Sequence, residues 1–151
     1  MSEPARRTSD GPFERWVCFG LGEVIYGLPI LRVHEVLQLS PIEPVPGSAP
    51  TMLGVINLRG QVVAVLDLRL HLGFAATPPG PDARIVVIEN HGEIVGLLVD
   101  RVTDVRKVVE AAIKPAPGVD AEHRAPILGI VSRGGEMLSL LDIDRLMQFR
   151  T

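Results

Sequence analysis

Cysteine is almost missing from the 151 residues: Cys18 stands alone. An internal disulfide is excluded, no thiol pair exists for a zinc site, and a reducing compartment fits. Aromatic side chains are also scarce, with one Trp, one Tyr and four Phe. Base stacking and sugar recognition lean on aromatic faces, so both are disfavoured. Positive charge is not in excess either. The formal net charge is −3, whereas nucleic-acid binders present a basic surface to phosphate, so no nucleic-acid partner is expected. Uninterrupted apolar runs, such as Ile94 to Val99, are far shorter than the ~20 residues of a membrane helix, which argues against direct membrane insertion. Residues 1–12 (MSEPARRTSDGP) lack an apolar segment and read as a flexible tail, not a secretory signal. The expectation is a soluble, cytoplasmic protein.

What is present is aliphatic and β-branched. Hydrophobic residues make up 46% of the chain, led by 19 Val and 11 Ile. Such side chains lose rotamer freedom in helices and pack well on pleated surfaces. Fifteen Gly and 13 Pro supply the turns that many short strands need.

An internal repeat organises these strands. Arg32-Val33-His34-Glu35-Val36 returns as Arg101-Val102-Thr103-Asp104-Val105, an offset of 69. Ile42-Glu43-Pro44-Val45-Pro46-Gly47 returns as Ile113-Lys114-Pro115-Ala116-Pro117-Gly118, an offset of 71. Residues 54–68 (GVINLRGQVVAVLDL) return as 129–143 (GIVSRGGEMLSLLDI), an offset of 75. Three matches in the same order, with slowly growing offsets, indicate a doubled unit with small loop insertions. The Pro- and Gly-rich residues 75–82 read as the connector. The expected division is a tail at 1–12 and one domain at 13–150. Its first barrel spans about 13–74 and its second about 83–150, with strand exchange between them left open.

Short apolar runs predict strands at 15–21, 23–29, 55–58 and 61–68, and again at 84–89, 93–100, 127–132 and 137–142. Turn signals at Gly22-Glu23, Arg59-Gly60, Asn90-His91-Gly92 and Arg133-Gly134-Gly135 join them as hairpins. Ile30, Val33, Val36 and Leu37 have spacing compatible with a helical turn. Asp142 caps a C-terminal helix whose Ile143, Leu146 and Met147 lie on one face. The fold class is mainly β: two small packed barrels with a short terminal helix.

No constellation of side chains reads as catalytic. Asp67 and Asp142 sit at matching places in the repeat, but neither is followed by the hydroxyl residue and glycine of an aspartic-protease dyad. Each is expected to end a strand and cap the next turn. His34, His71, His91 and His123 lack metal-ligand spacing, and adjacent His34 and Glu35 on a strand should face opposite ways. No base is tied to Cys18 by any motif. The expectation is no enzyme, no metal and no cofactor, but a surface-recognition protein.

Four stretches resemble the signatures of the CheW-like domain of bacterial chemotaxis coupling proteins. Tyr26-Gly27-Leu28-Pro29-Ile30-Leu31-Arg32-Val33-His34-Glu35-Val36 is similar to the first. Gly54-Val55-Ile56-Asn57-Leu58-Arg59-Gly60 with Val65-Leu66-Asp67-Leu68-Arg69 resembles the second. Val95-Gly96-Leu97-Leu98-Val99-Asp100-Arg101-Val102 with Ile113-Lys114-Pro115-Ala116-Pro117 resembles the third, and Leu140-Leu141-Asp142-Ile143 the last. The resemblance implies two SH3-like, five-stranded barrels and a non-catalytic adaptor. Its implied partners are the cytoplasmic tip of a methyl-accepting chemoreceptor and the regulatory domain of a CheA-like histidine kinase, with recruitment to membrane receptor arrays; ring assembly there is left open. It places receptor contacts at Val33, Glu35, Gly54, Arg59, Gly96, Val102 and Val105. Kinase contacts are expected on the apolar, proline-stiffened stretch of Pro41, Ile42, Val45 and Pro46. Two alternatives stand beside this: a CheW-like adaptor of a non-flagellar pathway such as pilus motility or developmental signalling, and a β-barrel protein that binds a small ligand.

Overall fold

The computed structural model describes residues 11–75, 77–116 and 126–148. The tail up to Asp10, His123, the Pro117-Gly118 end of the second repeat match and Phe149 lie outside the described residues. In chain order the strands are β1 (Phe13–Leu21), β2 (Val24–Pro29), β3 (Val33–Gln38), β4 (Met52–Leu58), β5 (Gln61–Asp67), β6 (Arg84–Asn90), β7 (Glu93–Val99), β8 (Arg101–Val109), β9 (Ile127–Arg133) and β10 (Glu136–Leu141). Two short helices, α1 (Leu68–His71) and α2 (Ile143–Gln148), follow β5 and β10.

The strands form two five-stranded sheets, and the C-terminal helix is short, as the mainly-β expectation requires. Sheet one runs β9–β10–β2–β1–β8 and sheet two runs β3–β6–β7–β5–β4. Neither sheet is built from one half of the chain. Sheet one takes the β1–β2 hairpin from the first half and β8, β9 and β10 from the second. Sheet two takes β3, β4 and β5 from the first half and the β6–β7 hairpin from the second. Each of the hairpins β1–β2 and β6–β7 thus pairs in the sheet whose other three strands come from the other half of the chain.

Under the repeat the two sheets correspond strand for strand. Both exchanged hairpins join their host by a parallel pairing at equivalent residues, Gly27 opposite Leu140 and Gly96 opposite Val65. The same irregularity occurs in the equivalent edge strands β3 and β8: His34 is the extra residue between Val33 and Glu35, and Thr103 is its counterpart opposite β1. Matching isolated bridges, Glu43 with Val55 and Lys114 with Ile130, fasten the two matching proline-bearing segments to β4 and β9.

Three apolar clusters hold the fold. One is internal to sheet one (Trp16, Cys18, Val108, Leu138, Leu140), and another to sheet two (Ile56, Val63, Val65, Ile85, Val87, Leu98). The largest lies between the sheets, where Phe19, Leu21 and Leu28 of sheet one meet Leu66, Ile88 and Leu97 of sheet two. Helix α2 adds Ile143, Leu146 and Met147 to that junction. Each such side chain contributes about 1.5–3 kcal/mol relative to exposure. Asp142 accepts from the Arg145 backbone N–H at 3.3 Å and starts α2 as expected. Asp67 does the same for α1, accepting from Arg69 N–H at 3.0 Å.

The expected helical turn around residues 30–37 is only a three-residue 3-10 turn, Ile30–Arg32, and the rest is strand β3. β3 alternates half-buried and exposed positions, the period-2 pattern of a strand with one face inward. Strand β8 also formed where no strand was expected, because its charged residues interrupt the apolar pattern.

Candidate functional site

The residues singled out from the sequence fall into three groups. The first is a charge bridge. Arg59 and Gly60 occupy the tip of the β4–β5 hairpin with φ of +52° and +87°, the left-handed pair that a two-residue hairpin turn needs. Asn57 stabilises the turn by accepting from Gly60 N–H at 2.8 Å. From this tip the Arg59 guanidinium reaches Glu35 on β3, forming an ion pair through Nη2 and a second, longer contact of 3.4 Å through Nη1. β3 and β4 are the two outer strands of sheet two, so the bridge spans them. Hydrogen bonding to Arg59 holds the Glu35 carboxyl below its ordinary value, and the same contact raises Arg59. The pair is open to solvent, with 67% of the Arg59 side chain exposed. His34 does not face away from Glu35. The bulge at this point brings its Nε2 to 3.9 Å from the carboxylate.

The second group is apolar and lies on equivalent edge strands. Val33 on β3 and Val102 on β8 both pack, half-buried, against the inter-sheet cluster. Val105 on β8 is 50% exposed and sits in sheet one, so the expected receptor positions are divided between the sheets. The third group is internal. Gly54 and Gly96 are buried. A Cβ on Gly54 would overlap the Glu43 carbonyl oxygen, and one on Gly96 would lie 2.8 Å from Ile85 Cγ2. Their lack of a side chain is thus accounted for by close approach within the chain.

The expected kinase-facing stretch is also divided. Pro41, Val45 and Pro46 are exposed, whereas Ile42 is half-buried against the sheet-two cluster. The Glu43–Val55 backbone bonds, both 2.9 Å, pull this segment onto β4. Leu39, Ile42, Leu53 and Leu98 border a groove of about 420 Å3 that the buried Asp67–Arg69 pair also lines.

Sequence reasoning foresaw none of the ion pairs that the structure forms away from Glu35 and Arg59, although it gave Asp67 a capping role. Arg106 on β8 bonds Glu136 on β10 at 2.6 Å and Asp104 at 3.0 Å. This sheet-one bridge has the opposite polarity to Glu35–Arg59, with the base on the edge strand and the acid on the hairpin. Arg69 bonds Asp67 in a fork, with two contacts of 3.1 Å, while only 6% of the Arg69 side chain is exposed. The available signal was position: Asp67, Arg69 and Asp100 all lie within stretches quoted above for the family resemblance. Cys18 is fully buried, and burial chiefly pushes its thiol up to about 11. Among the described residues no group of three or more His, Cys, Asp or Glu side chains could hold a metal ion, and no helix is long and apolar enough to cross a membrane.

Comparison with known proteins supplies the family. The model of the CheW-like domain matches residues 15–150. The chain belongs to the CheW-like domain family. It is 32% identical to "Chemotaxis protein CheW" of Rhizobium meliloti over 145 residues, covering 95% of this chain and 93% of that protein. It is 34% identical to "Protein FrzA" of Myxococcus xanthus over 142 residues, covering 91% of this chain and 87% of that one. Among solved structures it resembles the scaffolding protein TtCheW from Thermoanaerobacter tengcongensis, with a TM-score of 0.79, 34% identity, and coverage of 85% of this chain and 88% of that one. This is a chemotaxis scaffold and adaptor family, and the CheW-like fold carries the two sheets described above.

Proposed function

We propose that this CheW-like chain couples chemoreceptor tips to a CheA-like histidine kinase as a non-catalytic adaptor. The observation that carries the reading is the family match over residues 15–150. The exposed Glu35–Arg59 bridge supports it. A guanidinium presents a planar fork of donors suited to carboxylates and amide oxygens, and this one stands at a hairpin tip, paired with Glu35 of β3. Val102 and Val105 supply an apolar flank on β8. Pro41, Val45 and Pro46 are the candidate kinase contacts, with Ile42 anchoring their segment from within. Gly54 and Gly96 serve the receptor side indirectly, by letting chain segments close beneath it.

Two surfaces on one body hold their partners in a fixed relation, so each contact can be modest where arrays multiply it. Such an adaptor works in the cytoplasm, is recruited to membrane receptor arrays and takes a place in their rings. The test is co-sedimentation with receptor-bearing membranes. Arg59→Ala should keep its fold and its binding to the kinase regulatory domain but pellet less with receptor. Equal pelleting of variant and wild type would remove Arg59 from the receptor face.

A second reading is favoured by the similarity to FrzA: the same adaptor role in a pathway other than flagellar chemotaxis. Identifying the kinase captured with the tagged chain from its source cell decides between them.

A further inference from the structure

Two short segments carry the chain across between the sheets with no intervening loop, and they are repeat equivalents. The first is the 3-10 turn Ile30–Arg32, between β2 of sheet one and β3 of sheet two. The second is a single residue, Asp100, between β7 of sheet two and β8 of sheet one. Asp100 is bonded to sheet one and to helix α1, which follows β5 of sheet two. Its backbone N–H donates to the Gly20 carbonyl on β1 at 3.1 Å. One carboxylate oxygen, Oδ2, accepts from the Gly22 N–H at the β1–β2 turn, at 2.6 Å. The other, Oδ1, accepts from Arg69 Nη1 at 3.4 Å.

Arg69 is itself fixed. Asp67 at the end of β5 takes its Nε and Nη2, and Thr77 accepts from Nη1 at 3.2 Å. A chain of charged hydrogen bonds therefore runs from the end of sheet two, through Asp100, to the hairpin that sheet one borrows from the first repeat. The repeat itself does not demand this. The residue equivalent to Asp100 is Leu31, which is 85% exposed. At that crossing the neighbouring Arg32 bonds Glu89 O at 3.2 Å and Asp144 on α2 at 3.3 Å instead.

We infer that Asp100 is the pin of the joint between the sheets, and that its bonds to Arg69 and Gly22 set the angle at which the two sheets meet. The inter-sheet cluster resists separation, but apolar attraction is non-directional. Charge-assisted hydrogen bonds add direction. The joint fixes how faces on sheet one are aimed relative to faces on sheet two. It belongs to the fold and is tested without any partner, so its failure leaves the coupling role standing.

The test measures distances between pairs of spin labels in the full chain. Val62→Cys with Met137→Cys reads across the sheets, and Val62→Cys with Val36→Cys reads within sheet two. All three positions are exposed, at 69%, 54% and 41%, while native Cys18 is buried with a thiol pushed up to about 11 and stays unlabelled. In Asp100→Ala the cross-sheet distance distribution should broaden or shift while the within-sheet distribution keeps its width. Asp100→Asn retains an oxygen for Gly22 but loses the charge facing Arg69, and should show a smaller change of the same kind. If Asp100→Ala does not fold, Asp100→Asn decides on the same readout. An unchanged cross-sheet distribution in a folded variant overturns the inference. So does equal broadening within and across the sheets, or loss of the fold in Asp100→Asn, since either makes Asp100 a general stabiliser and not a pin.

Discussion

Among single residues, the clearest contrast is between two Arg–carboxylate pairs that flank sheet two. Arg59 and Glu35 meet in solvent, where such pairs contribute little to stability and are screened by salt; the role proposed for them is recognition. Because the folded carboxyl of Glu35 lies below its ordinary value near 4.5, the bridge is fully present above that value and is lost as pH falls through the lower, folded one. Side-chain NMR titration should therefore find Glu35 titrating at lower pH in the wild type than in Arg59→Ala. Coincident curves would contradict the bridge. Arg69 and Asp67 are the reverse case, both nearly excluded from water. Asp67→Ala leaves the buried Arg69 charge with only its longer contacts to Asp100 and Thr77, and urea unfolding should show a loss of up to about 3–5 kcal/mol. Gly54→Ala should destabilise far more than Gly60→Ala in the same assay. A Cβ at Gly54 strikes backbone, whereas one at Gly60 meets nothing within 4 Å and adds only left-handed strain of about 1–3 kcal/mol.

Among elements, the eight interior and hairpin strands were legible because they are short apolar runs between turn residues. The two that escaped, β3 and β8, are edge strands and repeat equivalents. An edge strand has one unpaired side and carries charge there as a guard against further pairing. Glu35 on one and Arg101, Asp104, Arg106 and Lys107 on the other dilute the apolar pattern for that reason. In β8 the bulge at Thr103 begins three consecutive exposed positions, so the strand's burial does not alternate. Exchange of the hairpins was left open by the sequence. A repeat shows which segments match, but pairing depends on which partner each hairpin meets in space. This has a direct consequence. Residues 1–78 and 79–151, made separately, each lack strands that both sheets need. Neither half should melt cooperatively by circular dichroism, and mixing them should restore the transition. A half that folds alone would contradict the exchange.

At the scale of the whole molecule, the doubled unit was visible in the three matched segments, and its structural counterpart is a strand-for-strand correspondence between the sheets. The candidate site was legible only in part. Glu35 and Arg59 were placed by the family signatures, but nothing in their spacing showed that the hairpin tip folds back to β3. Gly54 and Gly96 stood in the same signatures and Ile42 in the proline-stiffened stretch, and the structure turns all three inward as packing residues. The wider claim is that two interlocked sheets form one body with separate docking faces, one for receptor and one for kinase. The most direct test is to sediment receptor-bearing membranes with purified kinase, with and without this chain. The account predicts that the kinase pellets only when the chain is present and that the chain enters the pellet with it. Kinase that pellets equally well without the chain, or a folded chain that stays in the supernatant, would contradict it.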